Sequence, residues 1–190
     1  MLTAKGAATR ERIVLGAAEL IRSRGVAVGL DDIRGATSTS KSQLFHYFPD
    51  GKADLLLAVA RHEAARVLDD QQPHLADLTT WEKWQAWRDR VVEIYDAQRA
   101  GCPLSALVSQ LATPGAREII TELYTRWHAH LVTGVQALKA EGTTPADLDE
   151  NRCATTILTA VTGGATLLQA TDDMTYLDTA LTDAIESLRG

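Results

Sequence analysis

Lys41, Ser42, Gln43, His46 and Tyr47 fall within seven consecutive residues, interrupted by Leu44 and Phe45. Lysine, hydroxyl and imidazole side chains bond phosphate oxygens, and a glutamine amide can bond a base edge through its donor and its acceptor together. Such a set recognises nucleic acid and makes or breaks no bonds. The same residues would also suit a helix face that is merely wet, with Ser40 and Ser42 as caps, and spacing alone leaves the two readings balanced.

Catalysis has little to work with. It would need a nucleophile with its base and orienting group, or a cluster of metal ligands. Cys102 and Cys153 are far apart and form no CxxC pair, so alone they make neither a zinc site nor a disulfide framework and suit a reducing cytoplasm. His128 and His130, two apart on a helix, would point about 200° from one another and cannot share a metal. No phosphate-cradling glycine loop occurs. The sequence therefore predicts no enzyme, no metal and no cofactor. Met1 to Arg12 is small and polar, so no secretory leader is expected.

The elements that would hold these side chains are helices throughout, because apolar residues recur at helical spacing and almost never alternate. A first helix from near Thr9 to Gly25 buries Ile13, Ala17, Leu20 and Ile21. After an extended link, Leu30 to about Ala36 forms a short helix with Asp31 and Asp32 at its positive end. A turn at Thr37 to Ser40 leads to a third helix, Lys41 to Tyr47, capped by Ser40 and anchored by Leu44 and Phe48. Two short helices joined by a four-residue polar turn have helix-turn-helix geometry, whose second helix enters the major groove. Pro49 to Gly51 break the chain before a fourth helix, Lys52 to Gln71. Five more are expected at Trp81 to Ala100, Pro103 to Ala112, Ala116 to Ala140, Ala146 to Ala170 and Thr175 to Leu188. The fold class is all-α with about nine helices: a three-helix helix-turn-helix domain at 1–51 and a helical effector and pairing domain at 52–190.

The segment Leu30-Asp-Asp-Ile-Arg-Gly-Ala-Thr-Ser-Thr-Ser-Lys-Ser-Gln-Leu-Phe-His-Tyr-Phe-Pro, followed by Gly51-Lys-Ala-Asp-Leu-Leu, resembles the DNA-binding segment of TetR-family repressors. The likeness runs from about Thr9 to Ala60, and several positions agree at once: Ile33, Ser40-Lys41, Leu44 to Phe48, and Lys52. It implies that Gln43, with Ser42 and Phe45, contacts bases or the groove, and that Lys41, His46, Tyr47 and Lys52 contact phosphates. The sequence departs from the family pattern at three places. Ser38 stands where the turn usually has glycine, Gly29 replaces a Ser or Thr cap, and Gly51 is a one-residue insertion before the fourth helix. Gly101-Cys102-Pro103-Leu104 and the Arg152 to Leu188 tail further resemble the subgroup that includes lincomycin-resistance repressors.

Charge divides the chain in the same way. The net charge is −6, yet residues 1–52 carry eight basic against five acidic residues and the remainder eleven against twenty. A modestly positive end on an acidic body suits one small face that meets phosphate. Cys153 to Thr171 holds nineteen uncharged residues, but six threonines, two glycines and Gln169 lie among them, so this stretch reads as a core and interface helix and no membrane partner is expected. The resemblance implies a homodimer, since one reading helix makes too few contacts alone and paired helices reach successive major grooves about 34 to 36 Å apart. Ile157, Val161, Ala165 and Leu168, then Leu181 and Ile185, are the expected pairing residues, although such stripes could also close the monomer core. Six of the ten aromatic residues, Trp81, Trp84, Trp87, Tyr95, Tyr124 and Trp127, fall in two central helices. A pocket of Trp84, Tyr95, Leu107, Tyr124, Trp127 and His128 would suit a small hydrophobic or aromatic effector. The expected function is a cytoplasmic, effector-responsive repressor of operator DNA. The alternative is a helical small-molecule-binding or adaptor protein without operator binding, which the acidic total charge keeps open.

Overall fold

The computed structural model describes residues 3–99 and 101–189. Among them are nine α-helices and no strand: α1 (Ala4–Arg24), α2 (Leu30–Ala36), α3 (Lys41–Tyr47), α4 (Lys52–Asp69), α5 (Trp81–Ala97), α6 (Pro103–Val108), α7 (Ala116–Ala140), α8 (Glu150–Thr171) and α9 (Thr175–Glu186), with 3₁₀ turns at His74–Ala76 and Ser187–Arg189. Both helices of the expected helix-turn-helix have the expected ends. Elsewhere, caps move the boundaries. α1 begins ahead of Thr9 because the Thr3 hydroxyl accepts the Gly6 N–H at 3.2 Å, and α8 begins at Glu150, not Ala146, because Asp149 accepts the Arg152 N–H at 3.0 Å. α6 stops at Val108, short of Ala112. Ala100, the expected end of the fifth helix, lies outside the described residues.

One compact unit runs to Val67 and resumes after α5 to end at Glu122. Its core joins Ile13, Ala17 and Ile21 of α1, Ile33 of α2, Leu44 and Phe48 of the α3 region, Leu55, Ala58 and Val59 of α4, and Ala106 of α6. α4 and α6 thus share the apolar core of the first three helices. Gly16 of α1 is needed for the close approach of the turn, since a Cβ there would lie 2.4 Å from Thr37 Cγ2. Within the turn, Thr37 and Thr39 are buried and bond each other at 2.9 Å, and the Thr37 hydroxyl also donates to Ile33 O at 2.7 Å. Ser38, between them, points outward with φ +47°.

The second unit takes Leu68–Arg99 and the chain from Leu123 onward. Trp84, Trp87, Trp127, Leu131, Leu138, Ile157, Val161, Leu181 and Ile185 are fully buried in it. Gly134 of α7 admits α5, since a Cβ there would lie 2.8 Å from Trp84 Cζ2. By length and composition α8 could cross a membrane, with mean hydropathy 1.2, and 33% of that stretch is buried within the protein.

Candidate nucleic-acid interface and effector region

A seven-residue helix is too short to persist alone, so α3 depends on its cap and its anchor. Leu44 has no exposed surface and Phe48 is 1% exposed. At the other end the Ser40 hydroxyl accepts the Gln43 N–H at 3.1 Å while Gln43 Oε1 accepts the Ser40 N–H at 3.2 Å, a reciprocal capping box. With one side locked, Lys41, Ser42, Gln43, Phe45 and His46 are all exposed, and Tyr47 is half-buried against the core. The His46 and Tyr47 rings meet edge to face at 4.9 Å. Lys52, at the first position of α4, is half-buried.

The structure gives Gln43 a second occupation that sequence reasoning did not foresee. Its amide oxygen is committed to the cap, which leaves the amide nitrogen as the donor toward a ligand. Phe45 is 40% exposed yet has one ring edge against Gly51, where an added Cβ would lie 3.3 Å from Phe45 Cε1. Gly51 has φ +65° and its carbonyl accepts the Leu55 N–H, so the inserted residue starts α4 in a backbone conformation that favours glycine. Arg10 was missed. Its guanidinium lies 5.3 Å from the centre of the Phe48 ring, which brings a cation from α1 to the C-terminal end of α3. A groove of about 880 Å³ between α1 and the turn, lined in part by Arg12, Leu15, Gly16 and Ser38, was also not foreseen.

Of the expected pocket residues, Trp84, Tyr95, Leu107 and Trp127 are buried, whereas Tyr124 and His128 are half-buried. Leu107 belongs to the first compact unit and the other five to the second. Trp84 and Trp87 pack edge to face at 5.7 Å, and the Trp87 indole N–H donates to Gln71 Oε1 at 2.9 Å. The indole N–H groups of Trp84 and Trp127 are buried without an acceptor, a costly arrangement that calls for a partner. His128 is employed elsewhere: its Nε2 lies 3.1 Å from Thr155 Oγ1 and 3.3 Å from Asn151 O, tying α7 to α8. Cys102 is buried at the cap of α6, and that burial, with a smaller push from the Glu63 charge, raises its thiol pKa. It is a poor nucleophile there. Among the described residues no group of three or more His, Cys, Asp and Glu could hold a metal ion.

The residues expected to face a second copy, Ile157, Val161, Ala165, Leu168, Leu181 and Ile185, are all buried within the chain itself. They are spent inside the unit in which α8 and α9 pack against each other. What α8 and α9 leave outward is a different face: Thr155, Thr159, Gly163, Leu167 and Tyr176 line an apolar groove of about 640 Å³, with Leu167 44% and Tyr176 46% exposed.

Residues 13–59 match the family model for bacterial regulatory proteins of the tetR family, and residues 79–184 match the tetracyclin repressor-like C-terminal domain. The chain is 28% identical over 127 residues to an uncharacterised HTH-type transcriptional regulator of Mycobacterium tuberculosis, a match that spans 62% of this chain and only 60% of that protein. It is 26% identical over 182 residues to an uncharacterised HTH-type transcriptional regulator of Lactococcus lactis, across 90% of this chain and 88% of the relative. Among solved structures, a TetR transcriptional regulator from Chloroflexus aurantiacus superposes with a TM-score of 0.78 at 25% identity, across 97% of this chain and 96% of that one.

Proposed function

Because this chain belongs to the tetR family of bacterial regulatory proteins, we propose that it is a DNA-binding transcriptional regulator, a cytoplasmic repressor released from its operator by a small hydrophobic or aromatic effector. The observation that carries this reading is the exposed polar face of α3, Lys41 to His46, held rigid by a buried Leu44 and a closed capping box. Lys41, His46, Tyr47 and Lys52 bind phosphates, and Ser42, Gln43 and Phe45 face the bases. Arg10 joins the phosphate contacts. Residues 1–51 act as the reading head and 52–190 as the effector and pairing part. Within the family we group the chain with the lincomycin-resistance repressors, on Gly101-Cys102-Pro103-Leu104 at the start of α6 and on the sequence of α8 and α9.

The effector site is built within the second compact unit, around Trp84, Tyr95, Tyr124, Trp127 and His128. The two indole donors that lack acceptors support it, since an effector with hydrogen-bond acceptors would satisfy them. Pairing uses the outward groove of α8 and α9, because bivalent contact with two grooves requires a second copy. An effector acts by favouring a conformer whose paired heads no longer match the operator.

Fluorescence anisotropy with DNA from upstream of the protein's own gene, run across a salt series, tests the reading. Binding is expected to weaken steeply with salt as counterions are released. A chain that ignores this DNA at every salt concentration, yet binds an aromatic ligand, would instead be the helical ligand-binding or adaptor protein.

A further inference from the structure

Glu63 of α4 is fully buried, and its Oε1 accepts a hydrogen bond from Arg22 in the last turn of α1 at 2.5 Å, while its Oε2 is buried without a partner. The Arg22 side chain is 15% exposed and spends its other terminal nitrogen on Glu19. Against this pair lies the start of α6. A Cβ on Gly101 would come within 3.2 Å of Arg22 Cβ, and Glu63 is close enough to Cys102, the cap residue of α6, for its charge to raise the thiol pKa. Three segments of one compact unit therefore meet at a single buried ion pair.

Stability does not explain such a pair. Desolvating two charges offsets most of their attraction, and an apolar pair of similar volume usually serves as well or better. What an ion pair supplies, and apolar contact does not, is direction. Elsewhere α1 and α4 share one apolar core, to which Ala17 and Ile21 of the one and Ala58 and Val59 of the other belong, and apolar packing tolerates rotation and sliding. A guanidinium on a carboxylate oxygen tolerates little. α1 is a continuous helix from Ala4 to Arg24, and twelve residues, about 18 Å of helix, separate Arg22 from Arg10, whose guanidinium lies on Phe48 beside α3. A shift at the Arg22 end is thus delivered to the reading helix by a rigid rod.

We propose that Glu63, through its buried ion pair with Arg22, is a positioning residue for operator binding that registers α1, and with it α3, against α4 and the start of α6. This rests on the operator-binding reading above. Glu63 touches no DNA. It sets where the reading helix stands.

The test uses the full-length protein, the double variant Arg22→Met with Glu63→Leu, and the single variant Glu63→Gln. Binding is measured well below the lowest melting temperature, on footprinted DNA from upstream of its own gene and on versions with the half-site spacing lengthened or shortened by a single base pair. We expect the double variant to melt at or above the parent, to lose roughly tenfold in affinity for the native spacing, and to discriminate less between spacings, with Glu63→Gln in between. A role in stability alone moves the melting temperature and leaves the spacing preference intact. A double variant that binds within roughly twofold of the parent, with the same spacing preference, overturns the proposal. If the parent itself binds none of this DNA, the operator reading fails and this role with it, an outcome distinct from retained binding by the double variant.

Discussion

Gln43 shows how one residue can carry two duties on opposite sides of its amide. Its oxygen completes the box with Ser40, and its nitrogen faces outward. Gln43→Glu keeps an acceptor for the Ser40 N–H, since glutamate is the usual partner in a capping box, but removes the outward donor. The melting temperature is expected to hold or rise while operator affinity falls roughly ten- to hundredfold and preference shifts at one base position per half-site. Binding to a library of single-base operator variants reads this directly; an unchanged preference would show that Gln43 serves the cap alone. Ser38, at φ +47°, holds a conformation that glycine adopts without cost. Ser38→Gly is expected to raise stability by about 0.5 to 1 kcal/mol and Ser38→Ala to leave it unchanged, as judged by chemical unfolding. No hydrogen bond of the turn depends on the Ser38 hydroxyl, since Thr37 and Thr39 supply them.

Among the elements, α3 was legible in its bounds because what defines them is local, a serine cap and apolar anchors four apart, although the return bond from Gln43 to that cap was not read. α1, α6 and α8 were legible in kind but not in extent, because Thr3, Val108 and Asp149 compete with equally plausible neighbours. α4 carries a titrating group that pattern reading passed over. Burial lowers the His62 pKa; Arg66 and Arg22 lower it further, against the opposing charges of Glu63 and Glu11. The folded protein therefore binds this proton less tightly than the unfolded chain. Stability from His62 is present above the usual histidine value of 6.5 and is lost as pH falls below it. His62→Gln should accordingly show a smaller drop in melting temperature than the parent when pH is taken from above to below that value. Equal drops would mean that His62 is not the group responsible.

For the whole molecule, two adjacent glycines separate what is internal from what faces outward. A Cβ on Gly164 would lie 2.6 Å from the Leu177 Cα, whereas one on Gly163 meets nothing within 4 Å. Gly164→Ala should therefore force α9 away from α8 and cost about 1 to 3 kcal/mol. Gly163→Glu should leave helicity by circular dichroism intact, convert a dimer to monomers in sedimentation, and abolish tight operator binding, because one head alone holds half the contacts. A Gly163→Glu protein that still sediments as a dimer would move the pairing surface elsewhere.

The helical class and the bounds, cap and anchors of α3 could be read from the residues alone, because they depend on contacts within a few positions of one another. Which side of α8 and α9 is spent inside the chain emerged with packing. Helical periodicity identifies an apolar stripe without naming what covers it, and Ile157, Val161 and Leu181 meet that requirement within their own chain. The meeting of Arg22, Glu63 and Gly101 was likewise beyond reach, since these residues stand far apart in the sequence and only packing brings them together.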